Sequence, residues 1–424
     1  MFQLHRAAWV LPIDGPPLRD GWVATDGGRI VGVGGAPADR GLPPPPDRGL
    51  TPPADRGLTP PPENVTGGVR PQSVAILPGL INAHTHLELS WMAGRVPPCG
   101  SMGTWIRELM ALRRGAAPPE ALQRQAAADA LADARARGTV AFGDIGNSLI
   151  AADVLADADV PAVFFHELIG FGPDGARQRA TEGAQRVMQT VRSPVRAGLA
   201  PHAPYSVSPD LFRAVSVEAA AHQLPSSVHL GESREEVEFL LTGRGDIADT
   251  LKHLGAWNVG WSAPGVDPAE YLDHLGVLTP GLLTVHATQL KPAALARLAQ
   301  RGCVIVSCPR SNRWVGAGDP PLDDFYASGA AVTFGTDSLA SAPDLDMFAE
   351  LAAARSVSTV PAAKLLESAT LTAARALGLD ADFGSIAAGK RAALIAVKIP
   401  DAVEDVEEYL VGGIESSAIE VLRN

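Results

Sequence analysis

The chain has 424 residues, 46% hydrophobic and 19% charged, with a formal net charge of -12. That balance is ordinary for a folded protein, and an acidic chain without a Lys/Arg run excludes nucleic-acid binding by bulk charge. The length exceeds what one simple core holds and suits one large barrel plus a smaller domain.

Residues 2 to 35 read as short strands with glycine turns: Ala7–Pro12, Gly21–Thr25 and Gly28–Val33, with Asp26-Gly27 as a hairpin turn. Three near-identical octapeptides follow, starting at Pro37, Pro45 and Pro53. Eight proline-rich residues cannot bury a face, so the segment 37–62 is expected to be a polyproline-like surface loop inserted between two strands.

From 76 to 338 short apolar runs alternate with Ala-rich amphipathic stretches. The runs are Ile76–His86, Thr139–Asp144, Ala162–Leu168, Ala197–His202, Ser227–Glu232, Leu282–His286, Val304–Ser307 and Val332–Asp337. The stretches Pro119–Arg137, Asp174–Val191 and Pro209–His222 have helical composition. Strand–helix alternation repeated eight times predicts an α/β fold, a (β/α)8 TIM barrel with its chemistry at the C-terminal strand ends. Beyond it, Ala362–Leu377 reads as a helix, and 384–389 and 392–399 return to strand and turn. These are expected to pair with 2–35 in a β-sandwich built from both chain ends. The expected units are thus 1–75 with 380–424, and a barrel from 76 to 379.

Cys99, Cys303 and Cys308 make no disulfide framework and fit a reducing cytoplasm. No stretch reaches the roughly 18 apolar residues of a membrane span, and the first residues show no charged stretch followed by an apolar one. The expected partner is a small-molecule substrate, with neither nucleic acid nor membrane involved. A homodimer is the one assembly left in view.

Titratable residues gather at the predicted strand ends. His84 and His86, spaced i and i+2, reach one point from one face of a strand. His229, in His229-Leu-Gly-Glu232, completes a three-histidine set, and Asp337 ends the eighth run beside the first. Three imidazoles and a carboxylate would hold one divalent ion and leave a position for water. Asp337 would also take the water's proton, His286 would orient the water, and Glu232 would relay a proton to the acceptor atom and the leaving group. His202 ends the fourth run. A second metal in such barrels often needs a carboxylated lysine there, and none of the five lysines lies nearby, so His202 is assigned to substrate. Arg310-Ser-Asn312, after the seventh run, either offers polar groups to substrate or caps the next helix.

Together Leu77-Pro-Gly-Leu-Ile-Asn-Ala-His-Thr-His86, Ala200-Pro-His-Ala-Pro-Tyr-Ser206, His229-Leu-Gly-Glu-Ser233, Val285-His-Ala287, Cys308-Pro-Arg-Ser-Asn312 and Gly335-Thr-Asp-Ser-Leu-Ala-Ser341 make the sequence resemble the amidohydrolase superfamily, in its cytosine deaminase-like branch of adenosine-type deaminases and chlorohydrolases. The resemblance covers nearly the whole chain. It implies metal at His84, His86, His229 and Asp337, with zinc the usual ion and iron the alternative. It also implies Glu232 as proton shuttle, His286 on the water and His202 on the substrate. A narrower resemblance, to aminodeoxyfutalosine deaminases of the menaquinone pathway, rests on His84-Thr-His-Leu-Glu-Leu-Ser90, Trp105-Ile-Arg107, His229-Leu-Gly-Glu-Ser-Arg-Glu-Glu236, Tyr271-Leu272 and Cys308-Pro-Arg-Ser-Asn312. It implies a 6-aminopurine nucleoside substrate and release of ammonia, and it makes Glu88, Trp105 and Arg310 candidates for substrate contact. The chain departs from the pattern in its octapeptides and in Ala393, where relatives commonly carry Asp; both lie outside the barrel.

Deamination of S-adenosylhomocysteine, methylthioadenosine or guanine, or hydrolysis of triazine or chlorinated rings, would use the same ion and shuttle with a different pocket lining. That lining is expected from the segments after strands 1, 2 and 7. A catalytically silent assembly protein is the non-enzymatic reading; it expects lost ligands, and none of the set is missing.

Overall fold

The structure is a computed structural model describing residues 1–35, 73–172 and 174–422. The octapeptides lie outside the described residues. The strands are β1 (Gln3–Val10), β2 (Leu18–Asp26), β3 (Arg29–Gly34) and β4 (Val74–Pro78), then β5 (Leu80–Thr85), β6 (Thr139–Gly146), β7 (Ala162–Leu168) and β8 (Val195–Pro201). After them come β9 (Ser227–Leu230), β10 (Leu283–His286), β11 (Val304–Ser307), β12 (Ala331–Phe334), β13 (Leu394–Lys398) and β14 (Ile419–Leu422).

Both chain ends meet in one six-stranded sheet, in the order β14-β13-β4-β1-β2-β3. The expected sandwich is therefore, among the described residues, a single mixed sheet. The β2–β3 hairpin turns at Gly27 and Gly28, with φ of +57° and +76°, one residue later than Asp26-Gly27. Two consecutive left-handed residues are what a two-residue turn joining right-twisted strands needs.

The run 76–86, read as one strand, is two. β4 pairs with β1 and β13, whereas β5 pairs with β6. The break falls at Gly79, where a Cβ would stand 2.2 Å from Val140 Cγ1. Only a glycine lets the chain pass from one sheet to the other over β6.

The middle of the chain forms two four-stranded sheets, β5-β6-β7-β8 and β9-β10-β11-β12, with every pairing in them parallel. The sheets touch at both pairs of edges. Parallel bridges link Thr85 to Asp337 and Leu199 to Ser226, and the Asp337 N–H donates to the His84 carbonyl at 3.0 Å. Helices follow the strands, among them Glu120–Ala136, Ala176–Thr190 and Pro209–His222, close to the predicted spans. Period two sorts the strand residues between two cores. Ile81, Ala83, Ala141, Val163, Phe165, Leu283, Val285, Val304 and Val306 pack on one face with Ala373 and Leu377. Leu80, Phe142, Phe164, Leu199, Val228, Ile305 and Phe334 pack on the other, in the large core that takes in the helices. Both faces are buried, so the strands read as near-continuous apolar runs. Among the described residues no helix is long and apolar enough to cross a membrane.

Candidate active site

Five histidines converge where the parallel strands end. The ring centroid of His84 lies 4.9 Å from that of His86, 5.0 Å from His229 and 5.8 Å from His286, and His202 stands 4.9 Å from His229. Asp337 Oδ1 is 3.8 Å from His84 Nε2 and 3.6 Å from His86 Nε2. Ligand atoms of His84, His86 and Asp337 lie within 4.8 Å of one another, as do those of His84, His229 and His286.

Backbone geometry puts these side chains there. His286, Ala287 and Asp337 have φ of +74°, +55° and +59°, a left-handed conformation that side chains beyond glycine rarely adopt. It turns the chain sharply off β10 and just past β12, at the positions where chemistry is expected. At Gly335 a Cβ would stand 2.6 Å from the His84 carbonyl oxygen, so a bare backbone lets the segment after β12 lie against His84. Gly231, at φ +61°, ends β9 and swings Glu232 toward His286, Oε1 to Nε2 3.5 Å.

The imidazoles are held neutral. Burial, then the neighbouring rings, keep His84 well below its ordinary value. Burial takes His86 down to about 3 against the pull of Asp337, and takes His202 and His286 to about 4. Burial alone would raise Asp337, but His86, His286 and a 2.6 Å hydrogen bond from the Ser311 hydroxyl hold it below the usual carboxylate range. Glu232 moves the other way: burial, then Asp337 and Glu236, push it well above the usual carboxylate range, which favours its protonated form. Two neighbouring carboxyl groups are therefore pushed in opposite directions, Glu232 toward donor and Asp337 toward acceptor.

Supporting bonds orient the rings. The His229 Nδ1–H donates to the His202 carbonyl at 2.9 Å, leaving Nε2 with its lone pair. His286 Nδ1 is bonded to Asn312 Oδ1 at 2.9 Å. Both ring nitrogens of His84 are buried without a hydrogen-bond partner. A buried polar atom left bare costs about 1–3 kcal/mol, which a metal ion at this point would remove. Neutral imidazoles with one carboxylate are also the donor set that divalent zinc or iron takes. On both counts the residues fit a divalent metal.

Other expected residues fall differently. Trp105 lines a cavity of about 580 Å³ over the site, as do His202, Glu88 and Glu232. Glu88 is already occupied, accepting from the Asn147 and Ser148 N–H groups and the Ser148 hydroxyl at 3.1, 2.8 and 2.6 Å. Arg310 does not reach the cavity. Its guanidinium pairs with Asp344 at 2.7 Å and lies 3.7 Å from buried Glu350. Its neighbours Ser311 and Asn312 reach the site instead, through Asp337 and His286. The expected lining after strands 1 and 2 is present, but the segments after β7 and β9, 169–172 and 247–257, take the place expected for the one after strand 7.

Two buried carboxylates went unread in the sequence. Glu167, at the end of β7, points at His202 and His229; Glu236 accepts from the N–H groups of Gly231 and Glu232 at 2.9 and 3.0 Å. A signal for Glu236 was available: Ser233-Arg-Glu-Glu236 has the spacing of a capping box, and Ser233 caps the helix Arg234–Thr242. Glu167, next to last in the run Ala162–Leu168, carried the same strand-end signal as the histidines.

The profile of the Amidohydrolase family matches residues 75–417. The chain belongs to the amidohydrolase family. That family is metal-dependent, and its member here is a hydrolase of carbon–nitrogen bonds. Aminodeoxyfutalosine deaminase of Deinococcus radiodurans is 34% identical over 66% of this chain and 68% of its own length. A 5-methylthioadenosine/S-adenosylhomocysteine deaminase of Moorella thermoacetica is 28% identical over 97% and 90%. Among solved structures, a Xanthomonas campestris adenosine deaminase with bound zinc superposes with a TM-score of 0.77 at 26% identity, covering 98% of this chain and 90% of that one. Like other amidohydrolases of known structure, this chain has an α/β fold with parallel sheets.

Proposed function

We propose that this amidohydrolase deaminates a 6-aminopurine nucleoside by hydrolysis, with aminodeoxyfutalosine the first substrate to try and the menaquinone pathway as its setting. The observation that carries the reading is the grouping of buried Glu232, His286 and Asp337 within 4.8 Å of one another at the focus of the other histidines, with the two carboxyl groups pushed in opposite directions. The deaminase names of the relatives support the substrate class. In the same reading the parallel strands close into a (β/α)8 barrel, supported by the bridges at both sheet edges. The barrel then runs from Gly79 and the small domain combines both chain ends. Three free cysteines support a cytoplasmic setting.

His84, His86, His229 and Asp337 are the residues that would hold one divalent ion, zinc by analogy with the Xanthomonas structure. Such an ion supplies Lewis acidity, bringing proton loss from water into the neutral range. Asp337 receives the water's proton. His286 Nε2 orients the water toward the amino-bearing ring carbon. Glu232 donates its proton to the adjacent ring nitrogen, which makes that carbon more electrophilic. The amino group then departs as ammonia with the proton first taken up by Asp337, while the added hydroxyl returns its remaining proton to Glu232 as the ring carbonyl forms. His202, on the cavity wall, contacts the substrate.

The test is ammonia release from a panel containing aminodeoxyfutalosine, S-adenosylhomocysteine, methylthioadenosine, 5′-deoxyadenosine, guanine and a chlorotriazine. Fast release from a 6-aminopurine nucleoside supports the reading. Turnover confined to guanine or the triazine would overturn it, and so would a metal-replete protein inert toward all. His84→Ala and Asp337→Ala should each abolish the activity together with bound metal.

A further inference from the structure

Glu167 takes no part in the steps above, yet it is 6% exposed and lines the same cavity. Oε2 accepts from the Asn147 side-chain amide at 2.9 Å, and that amide also reaches the Glu167 carbonyl at 3.2 Å. Asn147 is held in turn by Glu88 through its backbone N–H. The Glu167 side chain is thus fixed on one oxygen. Its other oxygen, Oε1, is buried and has no hydrogen-bond partner. It stands 3.9 Å from His202 Nε2 and 3.8 Å from His229 Nδ1, both beyond hydrogen-bond range. Arg113, also on the cavity wall, comes within 3.5 Å of Asn147 and 4.0 Å of Glu88, not to Glu167.

Glu167, His202 and His229 are close enough to suggest a second metal site. The hydrogen bonding argues against it. His229 Nδ1, the nitrogen facing Glu167, carries the hydrogen that goes to the His202 carbonyl and has no lone pair to give. What Oε1 lacks is a hydrogen-bond donor, and Glu167 is part of the cavity wall.

We propose that Glu167 is a substrate-binding residue whose free oxygen accepts a hydrogen bond from a sugar hydroxyl of the nucleoside. The assignment rests on the deaminase reading and extends it. The only donor on a 6-aminopurine ring is the amino group, and that group must sit between Asp337 and Glu232 to react. The donors left to a nucleoside are its hydroxyls. A vicinal diol next to His202 gives Oε1 the hydrogen it lacks and occupies the His202 side of the cavity at the same time.

The experiment compares a 6-aminopurine ribonucleoside with its 2′,3′-dideoxy analogue, each with wild type, Glu167→Gln and Glu167→Ala at equal metal content. Wild type should prefer the ribonucleoside by about 100-fold in kcat/KM, because the analogue leaves a buried acceptor unpaired. Both variants should lose roughly 10- to 100-fold on the ribonucleoside, mainly through KM, and change less than about 3-fold on the analogue. The glutamine variant turns its oxygen to Asn147 and its NH2 to the cavity, so it keeps the packing while removing the acceptor. Equal losses on both substrates, or a wild type indifferent to the hydroxyls, would overturn the assignment while leaving the deaminase intact. No turnover of either substrate by wild type would defeat the deaminase reading itself, and this assignment with it.

Discussion

Asn312 Oδ1 lies 2.9 Å from Nδ1 of His286, and both residues are buried. An amide oxygen only accepts, so the shared hydrogen resides on Nδ1. Nε2 is left with a lone pair directed at the site, 3.5 Å from Glu232. Asn312→Ala should therefore lower kcat by about 10- to 100-fold while metal content stays at the wild-type level, since such supporting bonds set ring orientation. Full activity in that variant would mean the ring is held by packing alone.

Glu236 stands behind Glu232 in a similar way. Its carboxylate spans two consecutive N–H groups, those of Gly231 and Glu232, at the turn that aims the shuttle. Glu232→Gln keeps the shape of the side chain but has no proton to relay; turnover should fall by about 10²- to 10⁴-fold with metal retained. Glu236→Ala should lower kcat with little change in KM, because the turn loosens while the cavity wall stays in place. A loss of metal in either variant, measured by elemental analysis, would show that the turn serves the metal site and not the shuttle.

These dependencies mark how far the chain could be read without coordinates. The run-and-helix alternation carried the parallel sheets, because strands buried on both faces read as apolar runs and their ends are marked by His and Asp. That His84, His86, His202, His229, Glu232, His286 and Asp337 would come together was legible for the same reason: a polar residue closing an apolar run is conspicuous. For Arg310 the sequence left two readings open, because spacing fixes a strand end but not the direction of a long side chain. In the fold Asp344 draws it away, and that residue is not near in sequence. Glu88 stood beside the metal motif and looked free, but its partners come from the turn after β6. The split of 76–86 at Gly79 depends on contact with Val140, 61 residues later in the chain.

Gly335 offers a test of backbone fit. A methyl group there would meet the carbonyl oxygen, the Cβ and the N of His84 at 2.6, 2.7 and 2.8 Å, all atoms with little freedom to move. Gly335→Ala must push the segment carrying Asp337 away from β5. Overpacking of this kind costs about 1–3 kcal/mol. We expect weaker metal binding together with a lower melting temperature. A variant with unchanged metal affinity would show that the His84–Asp337 spacing tolerates displacement.

Buried groups of both kinds make stability depend on pH in two directions, and single variants separate them. His202 is held near 4 chiefly by burial, against an ordinary value of 6.5. Between those values the unfolded chain binds the extra proton, so this group's contribution is full above 6.5 and is lost as pH falls toward 4. Glu350 is pushed up to about 8, chiefly by burial, from an ordinary 4.5. There the folded chain keeps the proton, and stability is lost as pH rises from 4.5 through 8. Melting temperatures of metal-free His202→Asn should accordingly improve relative to wild type on acidification from 6.5 to 4. Those of Glu350→Gln should improve relative to wild type as pH rises from 4.5 to 8. If both differences stayed flat with pH, neither group would titrate differently in the folded and unfolded chains, and burial would not control the protonation of this site.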